Sequence, residues 1–351
     1  MINYIDKLRI AATVMVFSLH SLLFTGKNFP MQDILGEMGG YFIFFTPAWG
    51  AVWIFFVMSG YLAGIGFCKN KYELSIQGIK KYYWKKVKRI YIPTILYIAF
   101  CTVMIKPDFL SDNDVILKII TCTYAGTPGF NGPGATWFVF TLMRLYFISP
   151  LIAWVLTKIP AKQIVLFFVF ILLLGIANRL NWYINEWAWV DLYTYALCNL
   201  DLFTCGFFVA YMEDKNKIQQ NNYFRYGLVG LFIFFIMVNN YMIAYEKYIA
   251  VYQYIFPSLY LIFACLYLYC FRVNFSICRN SEIKNTFIKK IAKRFATISF
   301  EFYLFHSMIF DRLAKHIGGH TASEQYLKFF MVSFVITYIF SVGWHKAFKE
   351  S

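Results

Sequence analysis

The stretch at 4–21, YIDKLRIAATVMVFSLHS, decides how this chain is read. From Ile10 to Leu19 only Thr13 and Ser18 interrupt an apolar run. With its flanks it makes a segment near 5–24, about the 20 residues that a helix needs to cross a bilayer. Ionisable side chains inside such a segment are costly and mark functional sites. Asp6, Arg9, Thr13 and His20 follow one another at spacings of 3, 4 and 7 residues, which puts them on one helix face. Arg9 and His20 are nearly three turns apart, a rise of about 16 Å. A lone histidine would suggest helix–helix hydrogen bonding. An arginine and a histidine on one stripe suggest a substrate path. Asp6 either orients Arg9 from i−3 or is a solvated cap.

The rest of the chain has the same apolar character. Of 351 residues, 60% are hydrophobic, 22% aromatic and 15% charged. A soluble domain carries roughly 25% charged residues, so this chain cannot furnish a polar surface. Mean hydropathy is +0.55. Long unbroken apolar runs exclude a β-barrel, whose strands alternate in polarity over about ten residues. The expected fold is an all-α, polytopic membrane helical bundle of about ten spans. The candidates lie near 5–24, 42–67, 90–106, 137–157, 163–178, 194–212, 224–244, 249–271, 297–314 and 326–344. Residues 1–351 are expected to form a single integral membrane domain with no separate extracytoplasmic domain.

Charge sets the orientation. The net charge of +15 would suggest nucleic acid in a soluble protein. Here the excess gathers in two loops. One holds Lys69, Lys71, Lys80, Lys81, Lys85, Lys86, Lys88 and Arg89, and the other runs from Arg272 to Arg294. Those loops, Lys158, Lys162, Lys215, Lys217, Arg225, Lys346 and Lys349 share one side if ten spans alternate. Single charges such as Lys118, Arg179 and Lys315 fall opposite. The basic side is cytoplasmic, which places both termini inside, in a plasma-membrane protein without nucleic-acid partners. The outer segment near 107–136 ends in a Gly/Pro-rich loop and has room for a short interfacial helix. The eight cysteines form no CxxC and mostly sit in apolar runs, as buried small residues do, rather than in a disulfide frame or metal site.

Several motifs along the chain resemble the acyltransferase-3 family of membrane O-acyltransferases. Arg9, ten residues, then His20 in the first span is similar to that family's signature. FFVMSGYLAG (55–64), KKVKRIYIPTILY (85–97), TWFVFTLMRLYFISPLI (136–152) and SFEFYLFHSMIF (299–310) resemble its further segments in the same order. The resemblance implies a ten-span enzyme that O-acylates cell-surface carbohydrate from an acyl-CoA donor. Two departures matter. The family commonly has two arginines where this chain has Lys86 and Arg89, and lysine lacks the bidentate fork. The middle span holds Arg144 and no glutamate, so no carboxylate role transfers there.

The chemistry is consistent with these residues. O-acylation needs a base for the acceptor hydroxyl, and an imidazole titrates in the right range. His20 is therefore the expected catalytic residue, as general base or as acyl carrier, with Arg9. Arg9, Lys86, Lys88 and Arg89 at the inner edge are expected to hold the phosphates of cytoplasmic acetyl-CoA. The basic loop is equally what positive-inside topology or anionic lipid binding would produce. Tyr303, His306 and Trp137 are candidates for the acceptor, a surface polysaccharide or lipid-linked saccharide. His306 either lines that path or bonds within the bundle, and Trp137 is also a plausible interface anchor. Asp191, Asn199 and Asp201 could face an acceptor cavity, although Asn199 and Asp201 cannot both address one point. No metal is expected. The alternative from another class is a transporter or flippase of lipid-linked sugars or small solutes.

Overall fold

A bilayer offers no hydrogen-bond partners, so a spanning segment satisfies its backbone internally, as a helix does. The computed structural model describes residues 4–25, 37, 48–105, 107–124, 136–160, 163–185, 194–214, 234, 237 and 286–349. Among them there is no strand. Helix α1 is Tyr4–Thr25 and α2 is Ala48–Cys68. Helix α3 (Ile76–Lys86) passes through one π-helical turn, Val87–Tyr91, into α4 (Ile92–Met104). A short α5 (Asn113–Ile120) lies in the expected outer segment. Then follow α6 (Thr136–Lys158), α7 (Ile164–Ile184), α8 (Leu200–Asp214), α9 (Thr286–Leu313) and α10 (Ala322–Lys349). Seven described helices, counting 76–104 as one, are long and apolar enough to cross a membrane. The candidate spans near 224–244 and 249–271 lie outside the described residues, apart from 234 and 237.

Three departures from the sequence reading have physical causes. The basic stretch 69–89, expected as a loop, is helical from Ile76 onward. Ser75 caps it by accepting from the Gly78 N–H, and lysine is a good helix former. Pro93 follows the π-helical turn and has no N–H to give, so the helix widens before it rather than ending. Helix α7 runs past the expected end at 178 because Arg179 is not a charge in an outer loop. It is 1% exposed and forms an ion pair with the buried Asp201 of α8. Helix α9, in turn, is absent from the apolar set. Its residues 301–310 are all buried, so Glu301 and His306 face other helices rather than lipid.

Close packing sets the frame. Helices α2 and α8 meet through small residues, which let backbones approach. A Cβ on Gly60 would fall 1.9 Å from the Phe203 carbonyl oxygen, and one on Gly206 would fall 2.0 Å from that of Val57. Ser59, beside Gly60, is instead on the lining of the basic cavity described below. A second core, built from Phe17, Phe24, Phe295, Phe302, Phe310 and Phe329, joins α1, α9 and α10. Cys68, Cys101, Cys122 and Cys198 are free thiols. Cys205 is disulfide-bonded, against the expectation of thiols throughout.

Candidate active site

The site begins at the basic end of the bundle. Arg9 lies in the second turn of α1, 3.5 Å from Asp6, which settles that the acid partners the arginine. The π-helical turn between α3 and α4 carries Lys88 and Arg89, and Lys86 precedes it. A cavity of about 470 Å³ opens between these elements. Its basic lining is Arg9, Lys69, Lys71, Lys85, Lys86 and Arg89, with no carboxylate among the described residues. A neighbouring cavity of about 680 Å³ shares Arg9, Lys85, Arg89, Ala296 and Thr297 with it. Lys81, Lys88 and Lys293 add further charge there, and Asp6 is the one acid among its described lining residues. The clustering brings in Lys69, Lys71 and Lys293, which the sequence reading did not select. Nothing in their spacing signals it, because α9 and the 69–75 turn reach the cavity only through tertiary packing.

Lys86 does not reach into the cavity as a solvated point charge. Its Nζ lies 3.7 Å from the centre of the Tyr146 ring and 5.3 Å from that of Tyr82. The aromatic faces stabilise the ammonium while it remains on the lining. Lys88 sits 5.0 Å from the Trp84 ring and lines only the outer of the two cavities.

The first cavity is also lined by apolar and aromatic side chains. Phe138 of α6 and Tyr303 of α9 line it, with ring centroids 5.5 Å apart. Tyr303 in turn lies 5.5 Å from the ring of His306. His306 is 1% exposed and meets His20 of α1, with Nε2 of His306 2.6 Å from Nδ1 of His20. The two ring planes are 9° apart. His306 Nδ1 lies 2.5 Å from the Tyr303 carbonyl oxygen. His20 itself is partly exposed.

The polar stripe expected along α1 takes a different course. Thr13 is buried and donates its hydroxyl to the Arg9 carbonyl at 2.8 Å, so it closes back on its own helix. From Arg9 the cavity runs to Tyr303 on α9, and Tyr303 leads to His306 and His20. Trp137 stands apart. It is partly exposed, packs edge-on against Phe138 at 6.1 Å and does not line either of these cavities. Asp201 is committed to Arg179, and Asn199 donates to the Tyr195 carbonyl at 3.0 Å, so neither serves an acceptor cavity. Asp191 lies outside the described residues. Arg144 ties α6 to the segment before α8 by donating to the Thr194 carbonyl at 2.6 Å.

A family model described as an acyltransferase domain matches residues 2–343. The chain belongs to the acyltransferase-3 family. It is thus a membrane acyltransferase, all-helical in its described residues. No curated protein and no solved structure matches it. In this acyltransferase the cationic cavity and the histidine pair are the groups equipped for anion binding and proton transfer. Tyr303 belongs to the lining of the first cavity and has its ring 5.5 Å from that of His306.

Proposed function

We propose that this acyltransferase moves an acetyl group from cytoplasmic acetyl-CoA to a hydroxyl of a surface polysaccharide or lipid-linked saccharide, in the plasma membrane, with both termini cytoplasmic. The observation that carries this reading is the join between the two parts of the site. Tyr303 is part of the lining of the cationic cavity, and its ring lies 5.5 Å from that of His306, which meets His20. The donor's phosphates bind among Arg9, Lys86, Lys88 and Arg89, supported by Lys69, Lys71 and Lys85. Arginine suits bidentate phosphate contact, and lysines supply additional charge. The pantetheine arm, extended and largely apolar, lies along Phe138 and Tyr303. His20 takes the proton from the acceptor hydroxyl as its oxygen attacks the thioester carbonyl. The C–S bond breaks, and the proton passes on to the departing CoA thiolate, so His20 ends unchanged. Tyr303 borders the point where donor and acceptor meet.

Purified protein in lipid nanodiscs with radiolabelled acetyl-CoA tests this. Acetyl transfer or slow hydrolysis is expected, and equilibrium binding of CoA should weaken on the order of 10-fold in Arg9→Ala, the loss of one charge-assisted contact. Neither CoA binding nor turnover, with solute uptake by vesicles instead, would replace this reading with transport.

A further inference from the structure

We infer that His306 is a positioning residue. It holds the His20 imidazole with its proton on Nδ1, which makes Nε2 the nitrogen that takes the acceptor's proton. The inference rests on the acyl transfer proposed above and adds which atom acts and what orients it.

The Tyr303 carbonyl fixes the first proton of the chain. A carbonyl oxygen only accepts, so the 2.5 Å contact requires the proton of His306 to be on Nδ1. A neutral imidazole has one such proton, so Nε2 of His306 is an acceptor. His306 is neutral because of where it sits. It is 1% exposed, and the rings of Phe17, Tyr303 and Phe310 surround it at 6.4, 5.5 and 5.5 Å. An uncompensated charge in such surroundings is very costly. The 2.6 Å contact is then a donation from His20 Nδ1–H to His306 Nε2. One backbone carbonyl thereby dictates, through two rings, the protonation of a third atom, His20 Nε2. The choice of reactive nitrogen in a histidine is set by the hydrogen bond its other nitrogen makes. The near-parallel rings, 9° apart, fix the orientation as well as the tautomer.

The step balances with these groups alone. The acceptor's O–H proton moves to Nε2 as its oxygen bonds to the thioester carbon. His20 is then doubly protonated, and its Nδ1–H donates to His306 as a charge-assisted bond, stronger than in the resting state. The C–S bond breaks, the Nε2 proton goes to the thiolate, and the resting tautomer returns. With its proton on Nε2 instead, His20 could not begin this sequence from that nitrogen.

Nitrogen NMR of protein labelled with 15N-histidine in nanodiscs reads the tautomer directly, with the His20 signals assigned by their loss in His20→Gln. A protonated Nδ1 and an unprotonated Nε2 are expected. The opposite pattern in the wild-type protein overturns the inference, whatever the variants do. Kinetics add a second arm. His306→Phe keeps a ring against Phe17 and Phe310 but removes the acceptor, whereas His306→Gln keeps an acceptor close to the Nε2 position. His306→Phe should lower kcat roughly 100-fold or more with the KM for acetyl-CoA unchanged, by analogy with wrong-tautomer variants of catalytic triads. His306→Gln should stay within about 10-fold of wild type, because it can still accept from His20 Nδ1. Wild-type kcat in His306→Phe overturns the positioning role and leaves His20 as the base. Undiminished transfer in His20→Ala overturns the parent reading as well.

Discussion

Among the polar pairs that cross helix interfaces in the described residues of this enzyme, two solve the same problem differently. Arg179 on α7 and Asp201 on α8 form an ion pair in which the side chains are 1% and 0% exposed. The Cys198 carbonyl and the Leu202 N–H, the latter 2.9 Å from Asp201 Oδ1, add to it. Gly175 leaves the room that Asp201 occupies, since a Cβ there would fall 2.3 Å from its Oδ2. The pair cancels its own charge and holds two helices together. His20 and His306 join α1 to α9 with one hydrogen bond between neutral rings, and His20 remains partly exposed. The first pair joins opposite charges, and the second joins two imidazoles. Burial alone therefore does not distinguish a structural tie from a group suited to proton exchange; the chemistry of the paired side chains does.

Substitution should separate the two pairs cleanly. His20→Ala should lower acetyl transfer roughly 100- to 10,000-fold, the span that a general base contributes, while thermal unfolding in detergent falls by no more than about 5 °C, the cost of leaving the His306 acceptor unpaired. A large loss of thermal stability would make His20 another structural tie. Asp201→Asn should do the converse and cost about 3–5 kcal/mol by leaving Arg179 buried and uncompensated. Fluorescence-detected size-exclusion after a heat ramp reads this loss. Activity per folded molecule should hardly change, and a kcat effect at constant fold would erase the distinction drawn here. The double change Arg179→Met with Asp201→Leu should recover most of that stability, because replacing a whole buried ion pair by apolar groups is often neutral or better. The smallest effect belongs to Lys86→Met, whose loss of a cation–π contact and one basic group should weaken CoA binding by less than about 10-fold. Calorimetric titration would show it, and a larger loss would place Lys86 ahead of Arg9 as the principal donor contact.

Much of the fold was legible along the chain. Apolar runs of spanning length become helices wherever the described residues cover them, and Arg9 and His20 lie on α1 as their spacing requires. Helix boundaries were less legible where charge interrupted an apolar run. Arg179 appeared to end a span, since a sequence does not reveal that Asp201 lies opposite it. The 76–86 stretch looked like a loop because its lysines carry a topology signal that conceals a capped helix. Tyr303 and His306 were legible as site candidates only as polar residues in an apolar segment. Their contact with His20 involves helices separated by more than 280 positions (286 between the two histidines), a distance over which local periodicity carries no information.

Composition and spacing alone determined that this protein enters a membrane as helices and carries an arginine and a histidine on its first one, because hydropathy and the 3.6-residue period are local properties. Only the tertiary structure decided that Thr13 closes back on Arg9, that Tyr303 shares a cavity lining with Arg9, and that His306 meets both Tyr303 and His20. Which polar groups meet is a matter of packing between distant segments, and a buried hydroxyl or imidazole binds whichever partner that packing brings within reach.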